Sequence, residues 1–509
     1  MPEPPSSAVK AQPSVSAGKS ARRISRRRVI QAAAAAAPFT FFVRNAGAAA
    51  ERPNFVFLLA DDMGYADVSC FGRRDYKTPN IDRLAAAGMK LTHAYANSAV
   101  CTATRVGLVT GRYQYRVEVG LYEPLGGGAK VGLPAGHPTI ASTLKQAGYG
   151  TALIGKWHVG EVPQFGPTKY GYDHFWGFAN GALDYFTHRV GEPDSAPGLW
   201  DGETKIEEHG YLTDLIADKT IQHIHEYSGK KQPFLLSVHF NAPHWPWEGP
   251  DDEAAALKGG MSTFEAGTIA TYGAMVREMD TSIGRILRAL EGSRFPKNTV
   301  VVFTSDNGGE RFSDTWPFTG KKTELLEGGL RIPAVVRWDG HIRRGSVSEQ
   351  ACMSMDWMPT FVSMAGGKID AAYPSDGMDL TAALTQGAAP VPRKLFWRYR
   401  SNAQRAMLDD HMKWLKINEN QFLFDVAVDP LERANLRRKR PEVFERMVKD
   451  YAAWEATMLR EDLVPNSYSF NSQQLADHYT PSGVRGGAGR GGNGRGPARS
   501  GTPASGSTE

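Results

Sequence analysis

Several short segments of this 509-residue chain carry side chains able to do chemistry. Asp61-Asp62 and, far along the chain, Asp306-Asn307 offer hard oxygen donors. Such a set suits Ca2+ or Mg2+ rather than zinc, which favours His and Cys. Three carboxylates drawn together without a cation would also repel one another. In Gly155-Lys156-Trp157-His158-Val159-Gly160 an extended backbone would put Lys156 and His158 on one face. Pro243-His244-Trp245-Pro246-Trp247 is a rigid turn that presents a histidine among aromatic rings. Lys322 stands five residues before Glu327-Gly328-Gly329. Cys101 is followed at four residues by Arg105, and a lone cysteine near a cation reads as a thiolate nucleophile because the cation lowers the thiol pKa.

The elements that must position these groups are legible as apolar runs. Asn54 to Ala60, Thr151 to Gly155, Phe234 to Phe240, Thr299 to Thr304 and Ala334 to Trp338 are rich in Val, Leu, Ile and Phe and do not alternate. That pattern predicts strands of a parallel sheet covered on both faces. Helical patterns over Ile81–Gly88, His137–Gly148, Tyr211–Tyr227 and Met275–Leu290 lie between them. The alternation predicts an α/β fold, with a large, mixed, mostly parallel sheet sandwiched by helices. Asp61-Asp62, Lys156 to His158, Asn241 to His244 and Ser305 to Gly309 each follow a predicted strand directly. Ligands of open α/β sheets bind beyond the carboxyl ends of the strands, so four chain-distant segments converge on one edge.

The composition changes near 386–394. Leu395–Arg400, Arg405–Leu408, Met412–Ile417 and Gln421–Asp425 then read as an antiparallel set, followed by a helix from Pro441 to about Met458. This predicts a catalytic domain over 51–390 and a smaller C-terminal α+β domain with an antiparallel sheet over 395–470. Residues 482–509 are Gly, Arg, Ser and Pro with almost nothing apolar and read as a disordered tail.

Taken in order, these motifs resemble the type I (formylglycine-dependent, arylsulfatase-like) sulfatases. The resemblance spans roughly residues 52–460. It rests on Asp61-Asp62-Met63-Gly64-Tyr65, Thr78-Pro79-Asn80-Ile81-Asp82, and Cys101-Thr102-Ala103-Thr104-Arg105 with Leu108 and Thr110-Gly111-Arg112. It continues through Gly155-Lys156-Trp157-His158, Ala242-Pro243-His244, Ser305-Asp306-Asn307-Gly308, and Lys322 with Glu327-Gly328-Gly329. Asp425 and the run Asp429 to Leu436 resemble the family's C-terminal turn. The resemblance implies an alkaline-phosphatase-like fold and hydrolysis of sulfate monoesters, saccharide or aryl. It implies that a formylglycine-generating maturation enzyme oxidises Cys101 to an aldehyde whose hydrate is the nucleophile. Asp61, Asp62, Asp306 and Asn307 would hold Ca2+, with the modified Cys101 completing the site. Arg105 would orient the hydrate, Lys156 and Lys322 would bind sulfate oxygens, His244 would protonate the leaving alcohol, and His158 would help expel sulfate. Lys321 is the alternative to Lys322. One departure is Ala103, where the family usually has proline.

Formal net charge is +5, but residues 1–50 carry +7, which leaves −2 for the rest. The folded part therefore lacks the basic footprint of a nucleic-acid binder. Ser25-Arg26-Arg27-Arg28-Val29-Ile30-Gln31, an alanine-rich stretch and Ala46-Gly47-Ala48-Ala49-Ala50 read as a twin-arginine-type signal peptide over 1–50. Twin-arginine export machinery is thus an expected partner, and the expected location is periplasmic or extracellular. Three cysteines cannot make a disulfide framework, although Cys70 and Cys352 could pair. Trp245 and Trp247 beside His244 are candidates for a platform under a sugar or arene, and Trp176 and Trp200 fall in a loop-rich stretch at 160–210 where specificity loops would sit. Two other functions compete: a formylglycine-dependent phosphoester or phosphonate ester hydrolase, and a non-catalytic ligand-binding protein that has kept the fold.

Overall fold

The computed structural model describes residues 52–190, 195–230, 232–258 and 267–465. The expected signal peptide over 1–50 and the Gly/Arg-rich segment at 482–509 lie outside the described residues, as does the end of the C-terminal segment beyond 465.

Among the described residues sixteen strands occur. They are β1 Asn54–Ala60, β2 Met89–Leu91, β3 Ala94–Tyr95, β4 Gly150–Lys156, β5 His174–Phe178, β6 Leu199–Asp201, β7 Thr204–Ile206, β8 Phe234–His239, β9 Thr299–Ser305, β10 Ala334–Arg337, β11 Ser346–Ser348, β12 Cys352–Met353, β13 Lys394–Tyr399, β14 Gln404–Asp409, β15 Met412–Ile417 and β16 Asn420–Asp425. Ten of them form one sheet in the order β11-β2-β10-β9-β1-β8-β4-β5-β6-β7. Its centre, β9-β1-β8-β4-β5, is parallel. β1 shows why the strands read as continuous apolar runs. Phe55, Phe57 and Leu59 enter one core with the helices Cys101–Thr110, Ile140–Gln146 and Trp357–Met364, while Val56, Leu58 and Ala60 enter the other with Pro79–Ala87, Leu212–Lys230 and Ile269–Glu291. A strand buried on both faces has no polar side to show.

Two expectations need correction. The Ala334 run is antiparallel to β9 and β2, not part of the parallel set. Apolar continuity reports burial on both faces and carries no information about direction. The 160–210 stretch is less irregular than expected, since it supplies β5, β6 and β7. The three-residue strands β6 and β7 are too short for a periodic pattern.

The four-stranded antiparallel sheet β13-β14-β15-β16 packs one face onto the main body. Leu395, Trp397, Tyr399, Leu408 and Leu415 share a core with Tyr95, Val100, Ala103 and Leu325. The helix Pro441–Glu455 covers its other face through Met447 and Tyr451.

Candidate active site

Three strand exits are stitched together before any side chain contributes. Asp61 N donates to Ala242 O (3.1 Å) and Asp306 N donates to Ala60 O (3.1 Å). The ends of β1, β8 and β9 therefore open on one point. The order of strands reverses around β1, with β9 on one side and β8 and β4 on the other, which is where a crevice forms in an open sheet.

Cys101 is the first residue of the wholly buried helix Cys101–Thr110. Arg105 lies one turn on, so spacing alone stacks it on the same face. Its guanidinium is fully buried. Nε donates to Asp306 Oδ2 (3.0 Å), Nη1 to Lys156 O (2.9 Å), and Nη2 stands 3.7 Å from Asp61 Oδ1. Burial pushes the Cys101 thiol up, against the pull of Lys156 and Lys322. The thiolate expected from Arg105 alone is therefore not the favoured form.

Lys156, the last residue of β4, donates to Asp61 Oδ2 (2.5 Å). Gly155 precedes it at φ +104, and a Cβ there would meet His239 O at 1.9 Å, so only glycine lets β4 close on β8. Lys322 donates to Asp62 Oδ2 (2.5 Å), and His244 Nε2 lies 3.4 Å from the same oxygen and 3.4 Å from Lys322 Nζ. Asn307 Nδ2 donates to Asp62 Oδ1 (2.7 Å). Lys322 is buried on Asp62 while Lys321 is half-buried, so of the two it is Lys322 that the structure brings to the site. All ten residues expected at the site thus converge, from chain segments up to 260 positions apart.

The histidine tautomers follow from their carbonyl partners, which only accept. His158 sets Nε2 on Leu125 O (3.0 Å), so Nε2 carries the proton. Its buried Nδ1 has no hydrogen-bond partner among the described residues and is free to take a proton. His244 sets Nδ1 on Trp245 O (2.6 Å), leaving Nε2 as the reactive end. Burial, reinforced by Lys156, holds His158 well below its ordinary value. Burial with Lys322 and Lys156 does the same to His244, against the pull of Asp62. Asp62 and His158 both adopt left-handed backbone, at φ 63 and φ 55, which costs about 1–3 kcal/mol each and persists only where surroundings over-determine it.

The donor chemistry fits a hard cation. Asp61, Asp62 and Asp306 are buried within one site, and oxygens of Asp61 and Asp306 lie within 4.8 Å of each other and of Cys101 Sγ. Asp61 Oδ1 and Asn307 Oδ1 are buried with no hydrogen-bond partner among the described residues. Burial pushes the Asp61 carboxyl up, with Asp306 and Asp62 adding to it and Lys156 and Arg105 opposing. A divalent cation would relieve that repulsion. Burial would also raise Asp62, but Lys322, His244 and Lys156 together hold it low.

Sequence reasoning missed three contributors. Glu310 is buried with Oε2 3.6 Å from Lys322 Nζ, and burial, with Asp62 nearby and Lys322 opposing, pushes its carboxyl up to about 8. It directly follows Gly308-Gly309, so reading one residue past the motif would have found it. His239 sits on Lys156 O (3.0 Å) and was hidden inside a predicted strand. Tyr185 donates to Asn241 O (3.0 Å) and His244 O (2.8 Å), fixing the histidine turn, and no sequence signal marks it.

Some motifs do structural work. Thr78 to Asp82 starts a helix whose first amides, Asn80 N and Ile81 N, bond to Asp280. Trp247 is not a platform: it is 1% exposed, with its ring edge-on to Phe312. Trp176 is buried and Trp200 half-buried, while Trp245 is half-buried with its ring 5.5 Å from that of His244. Cys70, Cys101 and Cys352 are free thiols, so the possible Cys70–Cys352 pair is not formed.

With this geometry in view, comparison with known proteins is informative. The sulfatase family model matches residues 53–367. N-acetylgalactosamine-6-sulfatase of Rattus norvegicus is 33% identical over 385 residues, 71% of this chain and 71% of that protein. Steryl-sulfatase of Mus musculus is 29% identical, over 70% of this chain and 68% of that protein. The crystal structure of Ps i-CgsB superposes with a TM-score of 0.73 at 29% identity, covering 79% of this chain and 92% of that one. The phosphonate monoester hydrolase of Agrobacterium radiobacter shares the fold, with a TM-score of 0.56 at 20% identity.

Proposed function

Because this chain belongs to the sulfatase family and is an enzyme that hydrolyses sulfate esters, we propose that it cleaves saccharide O-sulfates through a formylglycine made from Cys101 beside a bound Ca2+. The observation that carries this reading is the convergence of Lys156, Lys322 and His244 on Asp61 and Asp62, next to Cys101. The saccharide is favoured because the rat relative is named for N-acetylgalactosamine 6-sulfate chemistry, and Ps i-CgsB has been solved with k-i-k-neocarrahexaose.

Asp61, Asp62, Asp306 and Asn307 would hold the Ca2+, which when bound supplies positive charge to the sulfuryl oxygens. Formylglycine at Cys101 would supply a hydrate with one hydroxyl to attack sulfur, its proton passing to the neighbouring carboxylate of Asp61 or Asp306, and a second whose deprotonation would release sulfate and leave the aldehyde for water to rehydrate. Arg105, locked by Asp306 and the Lys156 carbonyl, orients that hydrate. Lys156 and Lys322 exchange their carboxylate partners for sulfate oxygens as the ester enters. His244 is neutral in the free site, and the entering anion supplies the charge that draws a proton to Nε2, to be given to the leaving oxygen. His158 Nδ1 accepts the proton of the second hydroxyl, since Nε2 is committed to Leu125 O.

Maturation by a formylglycine-generating enzyme and export by the twin-arginine machinery to the periplasm or beyond complete the proposal. The charge pattern of residues 1–50 supports export. The test is the mass of the tryptic peptide 91–105 from native-host protein, paired with turnover of matched saccharide sulfate and phosphate esters. Thiol-to-aldehyde conversion with faster sulfate turnover is expected. An intact cysteine in active protein would overturn the formylglycine step, and faster phosphate turnover would overturn the choice of ester.

A further inference from the structure

The backbone immediately after Lys322 is held by the C-terminal sheet. Lys322 N donates to Gly309 O (2.9 Å), and Thr323, the next residue, adopts φ 74. A β-branched residue in left-handed backbone is strained, so its neighbours must hold it there. Thr323 N donates to Ala99 O (2.9 Å) on one side, and Gln404, the first residue of β14 and itself buried, holds the other. Its Nε2 donates to Thr323 O (2.9 Å), and its Oε1 accepts from Leu325 N (2.9 Å).

Further ties hold the rest of the segment. Thr319 Oγ1 donates to Leu431 O (2.8 Å), and Glu432 Oε2 accepts from Glu327 N (2.7 Å). The ammonium of Lys413 on β15, fully buried, lies 3.0 Å from both Glu327 Oε1 and Glu432 Oε1. Glu327 Oε2 in turn takes Tyr95 OH (2.9 Å) and Arg331 Nη1 (3.1 Å). Buried ion pairs add little net stability compared with apolar packing, and geometric specificity is their better-attested use.

We propose that the C-terminal sheet is a clamp that sets the catalytic position of Lys322, with Gln404 the principal positioning residue and the Lys413–Glu432–Glu327 cluster its second anchor. The proposal rests on the reading of Lys322 as a sulfate ligand. A lysine on four rotatable bonds reaches a fixed point only if its backbone is fixed, and a misplacement of about 1 Å costs about 10²-fold in rate. The two Gln404 ties land on backbone atoms one and three residues after Lys322 rather than on the bulk of the core. That distinguishes a positioning device from general packing.

The experiment compares wild-type, Lys322→Ala, Gln404→Ala and the double variant in the full, matured enzyme. It reads kcat and KM on an aryl sulfate, inhibition by inorganic sulfate, and melting temperature. Gln404→Ala is expected to lower kcat/KM about 10- to 100-fold and weaken inhibition by sulfate, yet to cost nothing further in the Lys322→Ala background. Wild-type kcat/KM for Gln404→Ala, or a loss of equal size in both backgrounds, would overturn the clamp. Wild-type activity of Lys322→Ala would instead overturn the sulfate-ligand reading, and the clamp with it. If Gln404→Ala does not fold, Thr319→Val removes the Leu431 tie at a half-buried position, and the same non-additivity with Lys322→Ala decides.

Discussion

Lys322 Nζ and His244 Nε2 approach the same oxygen, Asp62 Oδ2, at 2.5 Å and 3.4 Å. One carboxylate oxygen thus organises the group proposed to bind sulfate and the group proposed to protonate the leaving oxygen. The two arrive from loops 78 residues apart, and each is placed by backbone contacts that do not involve the other.

His244→Ala is expected to lower kcat about 10²- to 10⁴-fold on a saccharide sulfate, the usual range for a general acid. The loss should shrink on an aryl sulfate, whose phenolate leaves without protonation. Parallel kcat measurements on the two esters check this, and equal losses would remove His244 from the acid role.

Cation binding should appear in stability as well as in rate. Chelator-treated wild-type protein is expected to gain about 2.7 kcal/mol of stability when Ca2+ is added at a hundredfold excess over Kd, with a matching rise in melting temperature. Asp61→Asn keeps the shape but removes a charge next to the orphaned Oδ1, so its gain should be much smaller. Calorimetry with and without Ca2+ reads both, and an identical gain in the variant would exclude Asp61 as a ligand.

Gly308 is where the Asp306-Asn307 turn touches Glu327-Gly328-Gly329. Gly308 N donates to Gly329 O (3.0 Å), and a Cβ on Gly308 would meet Gly328 O at 2.1 Å. Gly308→Ala is expected to destabilise the fold by about 1–3 kcal/mol and to lower kcat, because backbone on both sides must move. Gly229→Ala, in a helix with nothing within 4 Å of the new Cβ, should be neutral or slightly stabilising. Denaturant melts of the two variants make the comparison.

Glu123 gives a stability effect with a defined pH window. Burial pushes its carboxyl up to about 8, with the Arg400 amide and Arg398 opposing. A folded pKa above the unfolded value of about 4.3 means the folded state holds the extra proton. Stability from this group is therefore complete below pH ~4 and lost as pH rises through about 8. Glu123→Gln removes the titration, so its melting temperature relative to wild type should rise between pH 5 and 9. A constant difference across that range would show that Glu123 does not titrate there.

The sequence alone determined the parts whose signal is local. β1 and β15 were predicted to the residue, because a run buried on both faces and an antiparallel hairpin strand each leave a continuous pattern. The convergence of the ten candidate residues was also legible, since each falls just after a strand or inside a short motif. Only the tertiary structure decided what depends on through-space distance. It reversed the direction of β10, buried Trp247, chose Lys322 over Lys321, and fixed the tautomer of His158 through a carbonyl 33 residues away. It also brought Gln404 to the backbone of Thr323, 81 residues upstream. A hydrogen bond across such a separation leaves no periodicity in the chain, because packing of the two sheets, and not local spacing, brings its ends together.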